Sequence, residues 1–180
     1  MTSSFQIKQV TVQHAHELSE LAKKIYIPHY PYLWNDGGID WYIHQFAYPL
    51  HKIEAELADA NNLHYIAYIN DQAIGYLKIN ICTKAKNFDA QNTMELERIY
   101  IDMNCIQKGV GSALMQFVIE LAKQHQKKDL VLKAMDSAEK ALQFYHKHGF
   151  EIVSNFRLPD AVFTLMKPEY RGMLILKRPV

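Results

Sequence analysis

Cysteine is nearly missing from this chain. Two of its 180 residues are Cys82 and Cys105, far apart and in no Cys-x-x-Cys pair. That argues against a disulfide framework or a cysteine zinc site and fits a reducing cytoplasm. An excess of charge of either sign is also absent. Twenty Lys plus Arg face 19 Asp plus Glu, leaving a formal net charge of +1. Composition therefore gives no basis for bulk attraction to nucleic acid or to an acidic membrane surface. No apolar run approaches a membrane span, and the opening MTSSFQIKQV holds no apolar signal-peptide core. Repeats, low-complexity tracts and linker-like segments are lacking too, so the length is read as one domain over residues 1–180.

What is present is a continuous alternation of strand-like and helix-like segments. FQIKQVTV (5–12) alternates as a strand, and HELSELAKKIY (16–26) sets Leu18, Leu21, Ala22 and Ile25 on one helical face. Residues 27–38, IPHYPYLWNDGG, read as a loop, and 39–59 as a helix broken near Pro49. LHYIAYI (63–69) and AIGYLKINI (73–81), joined by Asn-Asp-Gln, read as a hairpin. TMELERIYID (93–102) is a strand, 110–125 a helix, LVLKAM (130–135) a short buried strand. SAEKALQFYHKHG (137–149) is a helix with Ser137 as N-cap and Gly149 as terminator, and two terminal strands follow.

Two glycines stand where a strong helix begins. In CIQKGVGSALMQF, Gly109 and Gly111 follow a strand and open residues 110–125. Glycine costs about 1 kcal/mol in a helix relative to alanine. A helix start offers unpaired N–H groups and the positive end of the dipole, and glycines let a phosphate approach them. A tight turn or close helix–sheet packing is the alternative. A P-loop needs Lys and Ser/Thr after its second glycine, and a dinucleotide fingerprint needs Gly or Ala where Leu114 stands. Neither fits.

These residues resemble the GNAT N-acetyltransferase superfamily, whose signature is Arg/Gln-x-x-Gly-x-Gly/Ala after the fourth strand. IQKGVG (106–111) matches both glycines, with Ile106 at the first position and Gln107 one place later. ALQFYHKHGFE (141–151) resembles the family's Ala-x-x-Phe-Tyr-x-Lys-x-Gly-Phe helix, with Ala138 where an Asn is usual. The match covers roughly residues 93 to 157. The resemblance implies a mixed, mostly antiparallel α/β (α+β) sheet of six to seven strands with helices on both faces. It implies an acetyl-CoA-binding core over about 93–157 and acceptor-side helices over about 12–59. Acetyl-CoA would place its pyrophosphate on the loop Gln107, Lys108, Gly109, Val110, Gly111 and Ser112. Its pantetheine would pair with the backbone of Ile99, Tyr100 and Ile101. Ala138 would flank the coenzyme, and Lys140 and Lys147 would reach its phosphates or remain solvated helix charges.

The chemistry asks for a base. An ammonium of pKa about 10.4 must lose a proton to attack a thioester, which at pH 7 costs roughly 4–5 kcal/mol. By the resemblance, Glu97 is that base, through water, and Tyr145 serves the departing thiolate. The alternatives are an ion pair for Glu97 and a core position for Tyr145. Period two places Glu95, Glu97, Ile99 and Ile101 on one strand face. The segment 29–46 holds Tyr32, Trp34, Asp36 and Asp40, aromatic and acidic groups suited to a cationic amine, or a packed lid. ELERIYI and the closing PEYRGMLILKRP also resemble bacterial spermidine/spermine acetyltransferases. The histidines of HKH (146–148) point apart, and no metal is expected. The reading is a cytoplasmic acetyl-CoA-dependent transfer to a small primary amine such as a polyamine, without nucleic-acid or membrane partners; a homodimer is compatible with it. Two other readings compete: a peptide or protein acetyltransferase, and a non-catalytic acyl-CoA-binding module.

Overall fold

The computed structural model describes residues 4–106 and 109–180. Among them, seven strands form one sheet in the order β1-β2-β3-β4-β5-β7-β6. The strands are β1 (Phe5–Val10), β2 (Asn62–Ile69), β3 (Gln72–Asn80), β4 (Thr93–Ile101), β5 (Asp129–Met135), β6 (Glu151–Arg157) and β7 (Gly172–Pro179). All neighbours run antiparallel except β4 and β5. The β2–β3 hairpin turns through Asn70 and Asp71, both at positive φ, which Asn and Asp tolerate best among residues with a side chain.

Helices cover both faces. α1 (Ala15–His29), α2 (Gly38–Trp41) and α3 (Leu50–Ala58) lie on one, α4 (Val110–Gln124) and α5 (Glu139–Lys147) on the other. α1 runs three residues beyond the expected end. Its buried stripe continues through Ile25 and Tyr26, and Pro28 sits in the last turn, where one lost ladder bond is tolerable. Each large apolar side chain it buries, Leu18 and Ile25 among them, contributes about 1.5–3 kcal/mol. The expected helix 39–59 is interrupted as anticipated near Pro49, but its first half widens into a π-helix over Tyr42–Ala47. Ser137 is not the cap of α5. That helix begins at Glu139 with Ala138 as N-cap, and no side chain closes its first turn. Gly149, at φ +80°, ends it as expected.

Two features of β4 shape everything that follows. Its parallel pairing with β5 stops at Leu96–Leu132, although both strands continue. β5 stays on β7 for its whole length and β4 stays on β3 to Ile101, so the sheet opens between β4 and β5. In the same place β4 carries a bulge: Ile79 pairs with Leu96 and Lys78 with Arg98, leaving Glu97 as the extra residue. A bulge shifts the alternation by one. Met94 and Leu96 before it, and Ile99 and Ile101 after it, all pack into the core under α4. Glu95, Glu97, Ile99 and Ile101 therefore do not share a face; the unbroken period of two failed at one residue.

Candidate active site

The opening between β4 and β5 is the floor of a cavity of about 240 Å³. On one side it is lined by Glu97–Tyr100 of β4 and on the other by Lys133–Met135 of β5. Ala138 and Tyr145 close the α5 side, and Tyr26, Tyr30, Trp34, Tyr42 and Phe46 form the opposite wall. Leu158, Phe163 and Met166, from the connection between β6 and β7, complete the enclosure.

The side on which acetyl-CoA is expected is mostly backbone. The Asp102 N–H donates to the Ile74 carbonyl on β3. By strand alternation Tyr100 turns its backbone groups toward β3 as well, while Ile99 and Ile101 turn theirs away from it, into the opening. Of the three expected backbone partners, Ile99 and Ile101 thus lie along the free edge and Tyr100 does not. The Ile101 carbonyl already meets the His29 Nε2 at 2.9 Å. At the end of the strand, Gly109 adopts φ +78° as N-cap of α4, in open space, a conformation that disfavours any side chain. The start of this 15-residue helix carries exposed Ser112 and a dipole suited to an anion. At Gly111 the alternative of close packing is seen. A Cβ there would lie 3.4 Å from the Phe144 ring and 3.5 Å from Ile101, so this position packs α4 against α5. Val110 is buried. Gln107 and Lys108 lie outside the described residues. Lys140 and Lys147 are exposed on α5, as solvated charges would be.

Tyr145 sits at the junction. It lines the cavity, packs on Phe150 with ring centroids 6.1 Å apart, and burial pushes its phenol up to about 12. It therefore stays protonated at neutral pH and can donate a hydrogen bond to a thiolate.

Glu97 is held in an ion-pair network, the alternative weighed for it from the sequence; its reach to Asn80, Glu56 and His64 was not anticipated. Lys78 Nζ donates to its Oε1 at 2.8 Å and Asn80 Nδ2 to its Oε2 at 2.9 Å, and the Arg98 guanidinium stands 3.5 Å away. Burial alone would raise this carboxyl. Arg98, Lys78 and the two hydrogen bonds outweigh it and hold the group at about 2. Behind it, Arg98 forks onto Glu56 of α3 at 3.0 and 3.1 Å, and Lys78 reaches Glu56 at 2.9 Å. His64 completes the cluster, 3.8 Å from Glu56, and burial lowers its imidazole to about 4. One signal for this network was in the sequence. Lys78 and Asn80 fall on the same face as Tyr76 in an otherwise apolar strand, an expensive place for a charge without a partner.

The acceptor wall departs further from expectation. Trp34 is buried, lines the cavity and stacks near Tyr42 at 4.9 Å. Gly38 lets it sit there, since a Cβ would come within 3.0 Å of the indole and 2.9 Å of the Leu165 carbonyl. Tyr32 is exposed with its ring 5.3 Å from Tyr170, and Asp36 and Asp40 are exposed, none of the three lining the cavity. The short segment between them turns both carboxylates outward while Trp34 turns in. The connection that closes the cavity is organised by buried Arg171, which donates to the carbonyls of Met166 and Thr164 and reaches Asp160 at 2.7 Å. It is tied to the acceptor side by Asn35 N–H to the Leu165 carbonyl and Lys167 N–H to the Leu33 carbonyl, both 2.9 Å.

A sheet split beside a glycine-capped helix, with a tyrosine at the junction, defines a class. The Acetyltransferase (GNAT) family matches residues 20–150, and the chain belongs to it: it is an acetyl-CoA-dependent N-acetyltransferase. An uncharacterised N-acetyltransferase from Lactobacillus delbrueckii subsp. lactis is 26% identical over 126 residues, 70% of each chain. Among solved structures, the PaiA N-acetyltransferase from Thermoplasma acidophilum in complex with coenzyme A superposes with a TM-score of 0.76 at 18% identity, covering 98% of this chain and 99% of that one. A probable acetyltransferase from Staphylococcus epidermidis gives 0.74 at 16%, over 98% and 99%. At those identities the structures speak for the fold. Among the described residues no helix is long and apolar enough to cross a membrane, and no cluster of metal-ligating side chains is found.

Proposed function

We propose that this enzyme acetylates the primary amine of a small molecule whose remainder is apolar or aromatic. The observation that carries this is the character of the acceptor wall. It is built of aromatic rings and closed by Phe163 and Met166, and its carboxylate, Glu97, is already paired with two cations. A polyamine would bring further positive charge into a cavity with no unpaired carboxylate on its lining, while Asp36 and Asp40 face solvent. A peptide would need an open groove, and the connection over the cavity is bonded down on the Leu33–Asn35 segment.

The residues divide the work accordingly. The free edge of β4 and the start of α4 take the acetyl-CoA chain and its phosphates, which backbone groups can do without the family's usual Arg/Gln or Asn. Glu97, held near 2, is too weakly basic to keep an ammonium proton. Its part is to orient the amine or a water beside it, with the proton passing to solvent. Tyr145 donates to the sulfur as the C–S bond breaks. The lost proton is the larger demand, so turnover rises with pH as more amine is free.

An acetyl-CoA-dependent amine panel read by CoA release tests the reading. Aryl-alkyl amines should exceed spermidine in kcat/KM by at least about tenfold, a difference of 1.4 kcal/mol. Preference for spermidine, or for a peptide amine, would overturn it.

A further inference from the structure

The cavity wall contains a group of the kind the enzyme modifies. Among the described residues that line it, Lys133 carries the one primary amine. Leu132 and Ala134 pack under α4, so Lys133 between them projects onto the acceptor face. The β4–β5 ladder ends at Leu96–Leu132, and the next residues, Glu97 and Lys133, form the two lips of the opening. The Lys133 side chain is 35% accessible. Acetyl-CoA laid in that opening would bring its thioester to an amine of the enzyme's own.

What Lys133 touches explains how that outcome is avoided. Its Nζ turns back along the ladder and donates to the Glu95 Oε1 at 2.7 Å, rather than crossing the opening to Glu97. Glu95 stands between Met94 and Leu96, which pack under α4, so it too lies on the acceptor face. It is only 2% accessible, and its other oxygen accepts from Thr83 Oγ1 at 2.8 Å and from the Lys84 N–H at 3.3 Å. The carboxylate is therefore fixed in direction. Stability alone is a poor reason for such a pair, because taking a carboxylate out of water offsets most of what the pairing contributes. An amine attacks a thioester only with its lone pair free and aimed at the carbonyl carbon, and a proton held on Glu95 denies both. We propose that Glu95 is a guard, which keeps the Lys133 ammonium turned from the thioester and so prevents the enzyme from acetylating itself. This rests on the proposed placement of acetyl-CoA along the free edge of β4. In the reaction held off, Nζ bonds the carbonyl carbon and the C–S bond breaks. Two protons leave the nitrogen, one for the thiolate and one for solvent, giving Nε-acetyl-lysine and CoA. That product would leave Glu95 without its one cationic partner among the described residues.

Incubation of the full chain with acetyl-CoA and no acceptor, followed by mass spectrometry of the peptide that holds Lys133, tests this. The parent should stay unmodified there. Glu95→Gln keeps an oxygen for Thr83 and turns an amide NH2 toward Lys133, and it should acetylate Lys133 at least about tenfold faster than the parent. Excess CoA should suppress that labelling. Melting curves control for folding. Should Glu95→Gln unfold, Thr83→Val loosens the carboxylate without touching the amine and should give a smaller gain in the same direction. An aryl-alkyl amine added to the same samples reports on transfer itself. A variant that turns over the added amine yet leaves Lys133 unmodified, or a parent labelled at Lys133 as fast as the variant, overturns the guard. A chain that transfers to no amine overturns the coenzyme placement, and the guard with it.

Discussion

On the β5 and α4 side of the cleft the groups we propose for the coenzyme are backbone: the free edge of β4, the cap at Gly109 and the first turn of α4, with Tyr145 at the junction. On the α1–α3 side the groups are side chains, aromatic rings over an ion-pair cluster in which Lys78 and His64 are buried, Glu56 and Arg98 partly so, and Glu97 is the most exposed. The difference teaches where substitutions should act. The coenzyme side depends on chain path, and surface changes there alter binding while sparing the fold. The acceptor side is also part of the core, so its polar residues cannot be removed singly without cost to stability.

The sharpest break in that contrast is Arg98→Met. It leaves partly buried Glu56 and the more exposed Glu97 sharing one ammonium, and the cost of breaking a fully buried pair, about 3–5 kcal/mol, sets the upper bound. Urea unfolding measures it; a loss below 1 kcal/mol, the worth of a surface pair, would mean that the cluster is effectively solvated. Next is acid sensitivity. His64 is depressed from 6.5 to about 4, so the neutral ring's stability is complete above pH 6.5. As pH falls toward 4 the unfolded chain takes up a proton that the folded one refuses, and up to roughly 3 kcal/mol is lost. His64→Leu should remove that part of the slope, since neither ring nitrogen has a hydrogen-bond partner to orphan. Glu97 acts lower, between 4.5 and about 2, and in the same direction, because its depressed carboxyl must be protonated there. A profile unchanged in His64→Leu would place the acid-sensitive group elsewhere.

On the coenzyme side, Ser112→Glu keeps a residue type that favours a helix start but sets a negative charge where phosphates are expected. Two like charges about 4 Å apart repel by roughly 1–4 kcal/mol, so acetyl-CoA should bind at least tenfold more weakly in calorimetry, with the melting temperature unchanged. Equal affinity would remove the α4 start from the coenzyme site. The smallest effect is expected of Tyr145→Phe. One hydrogen bond is worth about 0.5–1.5 kcal/mol, or three- to tenfold in kcat. Because its phenol lies near 12, the fractional loss should be flat from pH 6 to 9. A loss that changes across that range would make Tyr145 a titrating acid.

The same division governs what could be read in advance. The coenzyme side lies within about sixty consecutive residues, and glycine at a helix start or a Phe-Tyr pair before Gly149 is a local signature. The succession of strands and helices and the break at Pro49 follow from periodicity and proline chemistry, which are local as well, whereas the helices on both faces came from the family resemblance. The acceptor wall joins residues 26–46, 56–80, 97–100 and 158–166, and no window contains them together. Asp36 and Asp40 attracted attention as carboxylates near aromatics, yet which way a short loop turns its side chains is decided by Trp34 seeking the core. Arg171 carried no local mark of the loop it would organise, and the role of Lys78 waited on Glu56, 22 residues away.

The bulge at Glu97 works as a phase step. Upstream of it β4 presents even-numbered residues to α4, downstream odd-numbered ones, so the strand is written in two frames joined at a single position. Straightening the strand through that position without deleting it would rotate Arg98 and Tyr100 into the apolar layer and turn Ile99 and Ile101 onto the ionic one, inverting both sides of the cleft at once. Deleting Glu97 itself would leave an unbroken alternation, with Met94, Leu96, Ile99 and Ile101 still under α4.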